Sequence, residues 1–343
     1  MKSLRLLLLC VATLALGSAV AQKISYSVEK IWDNGMHNAF TSIVEFKGEY
    51  YISFREGETH IFNSEGEADG KVRILHSKNG KKWHTLPLIG KDGYDLRDPK
   101  FSITPDGRLM VIIGGSKYQN KKLIERLPHV MFSDDGRTFT KPQPVSIEEA
   151  HRTDCDWLWR VTWHNGVGYS ISYGRSTPQG CHCTLFSTTD GIHYKHIKTF
   201  DIGYPSEATV RFLADGRMAI MVRRDRGDRR CLWGVSCNDT YTEWEWKPVN
   251  AFIGGPDFIL LESGKIIAGG RTHLASMSKT SLFEVDESGR FSQIMVLPSG
   301  GDTSYPGFLV VGKELWISYY STHETATASI YLAKIPLSTL EAL

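Results

Sequence analysis

The chain has 343 residues, with 40 Lys+Arg against 38 Asp+Glu and a formal net charge of +2. That near-balance supplies no electrostatic basis for binding nucleic acid or an anionic membrane. With 32 Gly and 9 Trp, the composition is that of an ordinary globular protein leaning towards strands and tight turns.

The first residues, Met1-Lys2-Ser3-Leu4-Arg5, lead into an apolar run, Leu6 to Leu16, and then Ala19-Val20-Ala21. A basic start, a short apolar core and a small-x-small site predict a secretory signal peptide over residues 1–21, with Gln22 opening the mature chain. The expected location is therefore periplasmic or extracellular. No other stretch is long and apolar enough to span a membrane, so no membrane insertion is expected.

Residues 22–343 read as one domain built from a repeat. Hairpin turns fall at Phe46-Lys47-Gly48, Pro105-Asp106-Gly107, His164-Asn165-Gly166, Ala214-Asp215-Gly216, Glu262-Ser263-Gly264 and Val311-Gly312, their glycines 59, 59, 50, 48 and 48 residues apart. Each precedes an apolar, aromatic-rich strand, such as Tyr50–Phe54 or Leu315–Tyr319. A second signal lies between the hairpins, in Ser77-Lys78-Asn79-Gly80-Lys81-Lys82-Trp83, Ser133 to Phe139 and Thr188 to Tyr194. A small hydroxyl residue, an Asp or Asn, a Gly and a later aromatic describe a turn whose polar side chain bonds backbone N–H groups while the ring packs inward. Six units of about 50 residues, each with about four strands, predict an all-β, six-bladed propeller.

Five cysteines follow the signal peptide, an odd number that cannot form a complete disulfide framework. Cys231 with Cys237, and Cys155 with Cys181 or Cys183, are the pairings the spacing allows. Cys181-His182-Cys183 lacks a second ligand cluster, and there is no HExxH, paired CxxC, EF-hand or phosphate-binding glycine loop. Neither a metal nor a cofactor is expected. Asn238-Asp239-Thr240 is a glycosylation sequon, meaningful only in a eukaryotic secretory pathway.

Ligands of propellers gather where the innermost strands begin. Asp98-Pro99, Glu207-Ala208, Gly255-Pro256-Asp257 and Tyr305-Pro306 align at those heads, with Arg97, Arg160, Asp302 and His37-Asn38 nearby. Polar groups there are costly to bury unless they pair or bind something. A second set, Arg55, Arg175, Arg223 and Arg271, stands where the next strand of each hairpin returns. In an antiparallel hairpin Glu207 and Arg223 emerge at the same edge. Several guanidiniums around one pocket call for an anion, most simply a substrate carboxylate.

Over essentially the whole mature chain these residues resemble the sialidase (neuraminidase) superfamily, six-bladed propellers with repeated Asp-box turns. Glu207 and Arg223, 16 residues apart, match that family's glutamate and triad arginine of the fourth blade, and Arg271 and Tyr305, 34 apart, match its later arginine and nucleophilic tyrosine. The resemblance implies an exo-α-glycosidase without cofactor that releases a terminal acidic sugar, sialic acid first, from a glycan. Tyr305 would attack the anomeric carbon and Glu207 take its proton, a recognised exception to the two-carboxylate scheme. Arg55, Arg97, Arg223, Arg271, His37 and Asp302 would bind the sugar.

The first blade departs from the family pattern. His37-Asn38-Ala39-Phe40-Thr41 stands where the first arginine belongs, and Phe54-Arg55-Glu56-Gly57 falls one strand later. The family's acid also lacks a clean counterpart; Asp98 is favoured over Asp69, Glu58 and His60. Two other classes stay open: a polysaccharide lyase with Tyr305, His37, His60 or His273 as base, and a non-catalytic binder of acidic glycans.

Overall fold

A computed structural model describes residues 26–177, 180–286 and 288–342, with the side chains of residues 175–181 outside that description. The expected signal peptide therefore lies outside the described residues, as do the side chains of Arg175 and Cys181.

The regular structure of the described chain is almost entirely strand, folded into six sheets around an axis. Each of the six predicted turns joins the two innermost strands of one blade, as Phe46 pairing with Glu49 and Phe212 with Met218 show. The innermost strands are His37–Phe46, Asp95–Ile103, the short Thr162–His164, Pro205–Phe212, Gly254–Leu260 and Thr303–Val311. Strand Ser27–Trp32 from the start of the described chain forms the outer edge of blade six by pairing antiparallel with Ser329–Pro336. That pairing closes the ring by tying the two ends of the described chain together.

Apolar side chains fill the spaces between successive blades. Phe46, Tyr51, Val72 and Ile74 of blade one, for example, pack against Leu109, Val111, Ile113 and Met131 of blade two. Each such side chain, fully buried, contributes roughly 1.5–3 kcal/mol, so the ring is held mainly by these layers. The repeated turns use their polar residues locally. Asp135 Oδ1 accepts from the Arg137 and Thr138 amides at 2.7 and 2.8 Å, and Asp190 Oδ1 from the Ile192 and His193 amides, both at 2.8 Å.

One irregularity recurs and sets up the site. The ladder between the two inner strands slips between Ala39 and Ser42, Arg97 and Lys100, Pro205 and Ala208, Gly254 and Asp257, and Ser304 and Gly307. These bulges lie at equivalent heights in five blades, and four of them carry a residue with positive φ: Phe40 (69°), Asp98 (49°), Gly255 (57°) and Tyr305 (53°). A bulge bends its strand and re-aims a side chain. Positive φ in a non-glycine residue costs about 1–3 kcal/mol and persists only where the surroundings enforce it. Pro99, Pro256 and Pro306 follow three of the four, where the lack of an amide proton costs no ladder bond.

Cys231 and Cys237 are not bonded to each other, correcting that pairing: the Cys231 thiol is buried and donates to the Val222 carbonyl at 2.9 Å, while Cys237 is exposed. Cys183 is also a free, buried thiol, which removes it as a partner for Cys155. No helix among the described residues is long and apolar enough to cross a membrane.

Candidate active site

The bulges of blades two and six and the head of blade four bring Asp98, Tyr305 and Glu207 to one cavity of about 180 Å³. The hydroxyl of Tyr305 donates to Glu207 Oε1 at 2.7 Å. Arg223 Nη1 donates to the same hydroxyl at 3.0 Å and to both Glu207 oxygens at 3.0 and 2.8 Å, and its Nε donates to Asp225 at 2.7 Å. Burial and the Glu207 charge push the Tyr305 phenol well above its ordinary range, so it is neutral unless a base takes its proton. Gly255 shapes this corner: a Cβ there would lie 2.4 Å from Tyr305 Cγ, and its backbone is left-handed as well.

Arg271 lies beside the same ring, its guanidinium 5.3 Å from the Tyr305 centroid. It donates to the Thr303 carbonyl at 2.8 Å, Tyr320 Oη at 2.6 Å and Asp302 Oδ1 at 3.1 Å. The other Asp302 oxygen takes His37 Nε2 at 2.8 Å and His60 Nδ1 at 2.6 Å. Burial opposes ionisation of Asp302, but the two histidine hydrogen bonds and the Arg271 charge outweigh it and hold the carboxyl far below its usual range. Burial pushes the His60 imidazole down, so near neutral pH it donates as a neutral ring to an ionised carboxylate.

His37, His60 and Asp302 have the donor types of a two-histidine, one-carboxylate metal set, their ligand atoms within 4.8 Å of one another. The separations of 2.6 and 2.8 Å are hydrogen-bonding distances, and Arg271 already supplies the positive charge beside the carboxylate.

The remaining predicted residues divide. Asp98 and Arg97 both line the cavity; Arg97 is held there by Asp95 (3.1 Å) and the His60 carbonyl (3.0 Å), and its guanidinium stands 4.9 Å from the Phe40 ring. Asp98 Oδ1 is buried without a partner among the described residues. Burial lifts its carboxyl to about 6, against the opposing charges of Lys100 and Arg97. Lys100, its ammonium pushed down to about 7 by burial, sits on the carbonyls of Phe40 and Thr41 at 3.1 and 2.9 Å and so props the first bulge.

Arg55 does not join them, which corrects the expectation that it faces the cavity. Its side chain is 0% exposed, with Nε on Asp95 at 2.9 Å and Nη1 on the Thr59 carbonyl at 2.7 Å. It ties blade one to blade two. Asp69 and Glu58 belong to the adjoining loop, where the Asp69 carboxylate accepts the Glu58 amide at 3.2 Å and Glu58 accepts the Ser64 amide at 2.9 Å. Asp257 and Arg160 pair with each other at 3.2 Å, and Arg160 also donates to the Pro306 carbonyl. Residues missed in the sequence include Phe40, Tyr320, Tyr173, Ser116, Arg126 and Trp157. Tyr320 has no local mark in the sequence; Trp157, three residues before Arg160 in a Trp-rich segment, has at least a compositional one.

A larger cleft of about 1190 Å³ opens next to the cavity and shares Ser116 and Tyr118 with it. It is lined by charged loop residues of both signs, including Glu67, Asp69, Lys91 and Lys121.

No protein-family model and no curated protein sequence matches the chain. Among solved structures, a protein of unknown function from Dyadobacter fermentans superposes with a TM-score of 0.76 at 16% identity, over 90% of this chain and 99% of that one. Trypanosoma rangeli sialidase, solved with the inhibitor DANA, gives a TM-score of 0.72 at 12% identity over 92% of this chain. This chain spans only 60% of that sialidase. An α-L-arabinofuranosidase from Fusarium graminearum, in complex with an iminosugar inhibitor, gives 0.65 at 14% identity over 88% of this chain and 94% of its own. At these identities the likeness is one of fold: a six-bladed propeller of the kind found in sialidases and in an arabinofuranosidase.

Proposed function

We propose that the protein is an exo-acting, retaining glycoside hydrolase that releases a terminal acidic sugar, sialic acid first, from a glycan, with Tyr305 as nucleophile. The observation that carries this reading is the 2.7 Å hydrogen bond from Tyr305 Oη to Glu207, with Arg223 Nη1 3.0 Å from the same hydroxyl. A nucleophile within reach of its base, and a cation placed on the developing phenolate, are the components of covalent catalysis. A phenol also suits an anomeric carbon that carries or lies near negative charge, since a carboxylate nucleophile would be repelled.

In the first step Tyr305 Oη bonds to the anomeric carbon while Glu207 takes the phenol proton. The glycosidic C–O bond breaks, and Asp98, protonated below about pH 6, gives its proton to the departing oxygen. In the second step Asp98, now a base, deprotonates water as it attacks the anomeric carbon. Tyr305 leaves and recovers its proton from Glu207. The small cavity suits one terminal sugar, and the wide cleft beside it gives the leaving glycan a path, which supports exo action. Secretion follows if residues 1–21 act as the signal peptide they resemble.

Incubation with a fluorogenic α-sialoside, beside a uronate polymer followed at ultraviolet absorbance, tests this. Fluorophore release that disappears in Tyr305→Phe supports the hydrolase. New absorbance from the polymer supports a lyase, and glycan binding with silence in both assays supports a lectin.

A further inference from the structure

We infer that Arg126, on the third strand of blade two (Lys122–Ser133), holds the carboxylate of the terminal sugar, with Trp157 Nε1 and Ser116 Oγ donating beside it. The inference rests on the acidic-sugar reading above and places the anion on a residue outside the arginine set that the resemblance implied.

The guanidiniums around the site differ in what they already hold. Arg55 and Arg97 share Asp95. Arg160 is paired with Asp257, Arg223 with Glu207 and Asp225, and Arg271 with Asp302. An arriving carboxylate at any of these would compete with a resident one. Of the two arginines lining the cavity, Arg97 is so committed, whereas Arg126 has no carboxylate and no side-chain hydrogen bond among the described residues. Its guanidinium lies 5.2 Å from the Trp157 ring centroid, an attraction that orients it without neutralising it.

The same wall gathers the cavity's unsatisfied polar atoms. Arg126 Nε, Trp157 Nε1, Ser116 Oγ and Asp98 Oδ1 are all buried without a hydrogen-bond partner among the described residues. Trp157 is 4% exposed and Ser116 1%. Orphaned donors at these depths are costly, and a ligand that accepts from them recovers that cost. The unpaired Arg126 guanidinium, with one indole N–H and one hydroxyl on the same wall, matches a carboxylate. Asp98 Oδ1, the one carboxyl atom of the four, is left to accept from a sugar hydroxyl when ionised or, when the carboxyl is protonated, to face the glycosidic oxygen as donor.

The wall is also rigid. A Cβ on Gly114 would lie 2.1 Å from Trp157 Cζ2, so the indole rests directly on the backbone of strand Leu109–Gln119. The Trp157 amide donates to Ser172 Oγ at 3.3 Å and its carbonyl accepts the Tyr173 amide at 3.2 Å.

Calorimetry at pH 7 with sodium N-acetylneuraminate, sodium glucuronate and galactose, on wild type, Arg126→Met, Arg126→Lys and Tyr305→Phe, tests the placement. The expected result is that at least one acid binds wild type and quenches Trp fluorescence, and that Arg126→Met weakens it ten-fold or more with galactose unaffected. Arg126→Lys should recover part of the loss, and Tyr305→Phe should bind as wild type does. N-acetylneuraminate binding alone would put the carboxylate on the anomeric carbon, and glucuronate binding alone would put it across the ring. Acid binding unchanged in Arg126→Met, an equal loss of acid and galactose, or no acid binding by wild type would overturn the inference. Because Tyr305→Phe keeps the binding readout, failure of the catalytic reading would show as unchanged turnover in that variant while the Arg126 dependence stood.

Discussion

Tyr305 Oη and Glu207 Oε1 stand 2.7 Å apart although 98 residues separate them in the chain, and the bulge at Ser304–Gly307 is what brings the phenol there. Removing the hydroxyl removes the proposed nucleophile and little else, since Glu207 keeps both bonds from Arg223. Tyr305→Phe is therefore expected to lower kcat by roughly 10²–10⁴-fold on any substrate the enzyme cleaves. Thermal unfolding should change by no more than a few degrees. Wild-type turnover in this variant would end the covalent mechanism.

Glycine 255 is expected to be as exacting as the tyrosine it faces. In Gly255→Ala the new methyl meets the Tyr305 ring at 2.4 Å, on a backbone with φ of +57°. Strain in a left-handed position and the clash together should cost about 1–3 kcal/mol of stability and move the phenol off Glu207. Urea denaturation and kcat measured together check this. A drop in stability with kcat unchanged would mean the ring has another way to reach its base.

Arg55 should behave as a structural residue. Its guanidinium is fully buried on Asp95, and Arg55→Met would leave that carboxylate with Arg97 alone. Breaking a buried pair on one side costs about 3–5 kcal/mol, so the variant should unfold at clearly lower denaturant. What remains folded should bind substrate with an unchanged KM. A KM raised ten-fold at unchanged stability would return Arg55 to the binding set.

The propeller was legible because its marks are local. A Gly turn and the strand after it lie within a dozen residues, and repetition in phase six times leaves little else to build. Glu207 and Arg223 were readable for the same reason, being opposite ends of one hairpin. Arg55 was misplaced because its fate depends on Asp95, 40 residues away in the next blade. Strand alternation says only which face a side chain leaves from, not what waits there. The bulges were invisible as such, although Asp98-Pro99, Gly255-Pro256 and Tyr305-Pro306 mark three of them, and it is they that decide which strand-head residue turns to the axis. Arg126 carried no sign at all, since it stands mid-strand, away from every aligned head.

The pH dependence should be set by Asp98, whose folded carboxyl is pushed up from the ordinary 3.8 to about 6 because burial disfavours the charge. As the general acid it must be protonated, so kcat should fall as pH rises through about 6. The stability effect has the matching sign. The native state holds this proton more tightly than the unfolded chain, so Asp98's contribution is present below about pH 4 and is lost as pH rises through 6. Asp98→Asn removes that loss. Relative to wild type it should gain roughly 1–3 kcal/mol in going from pH 4 to pH 8, while kcat falls about 10²-fold or more and loses its limb near 6. Paired denaturation curves at the two pH values, beside a kcat profile, measure both. A limb near 6 that survives the substitution would assign the acid to another group, with His60, which lines the same cavity and is held on Asp302 by a 2.6 Å hydrogen bond, the next to test.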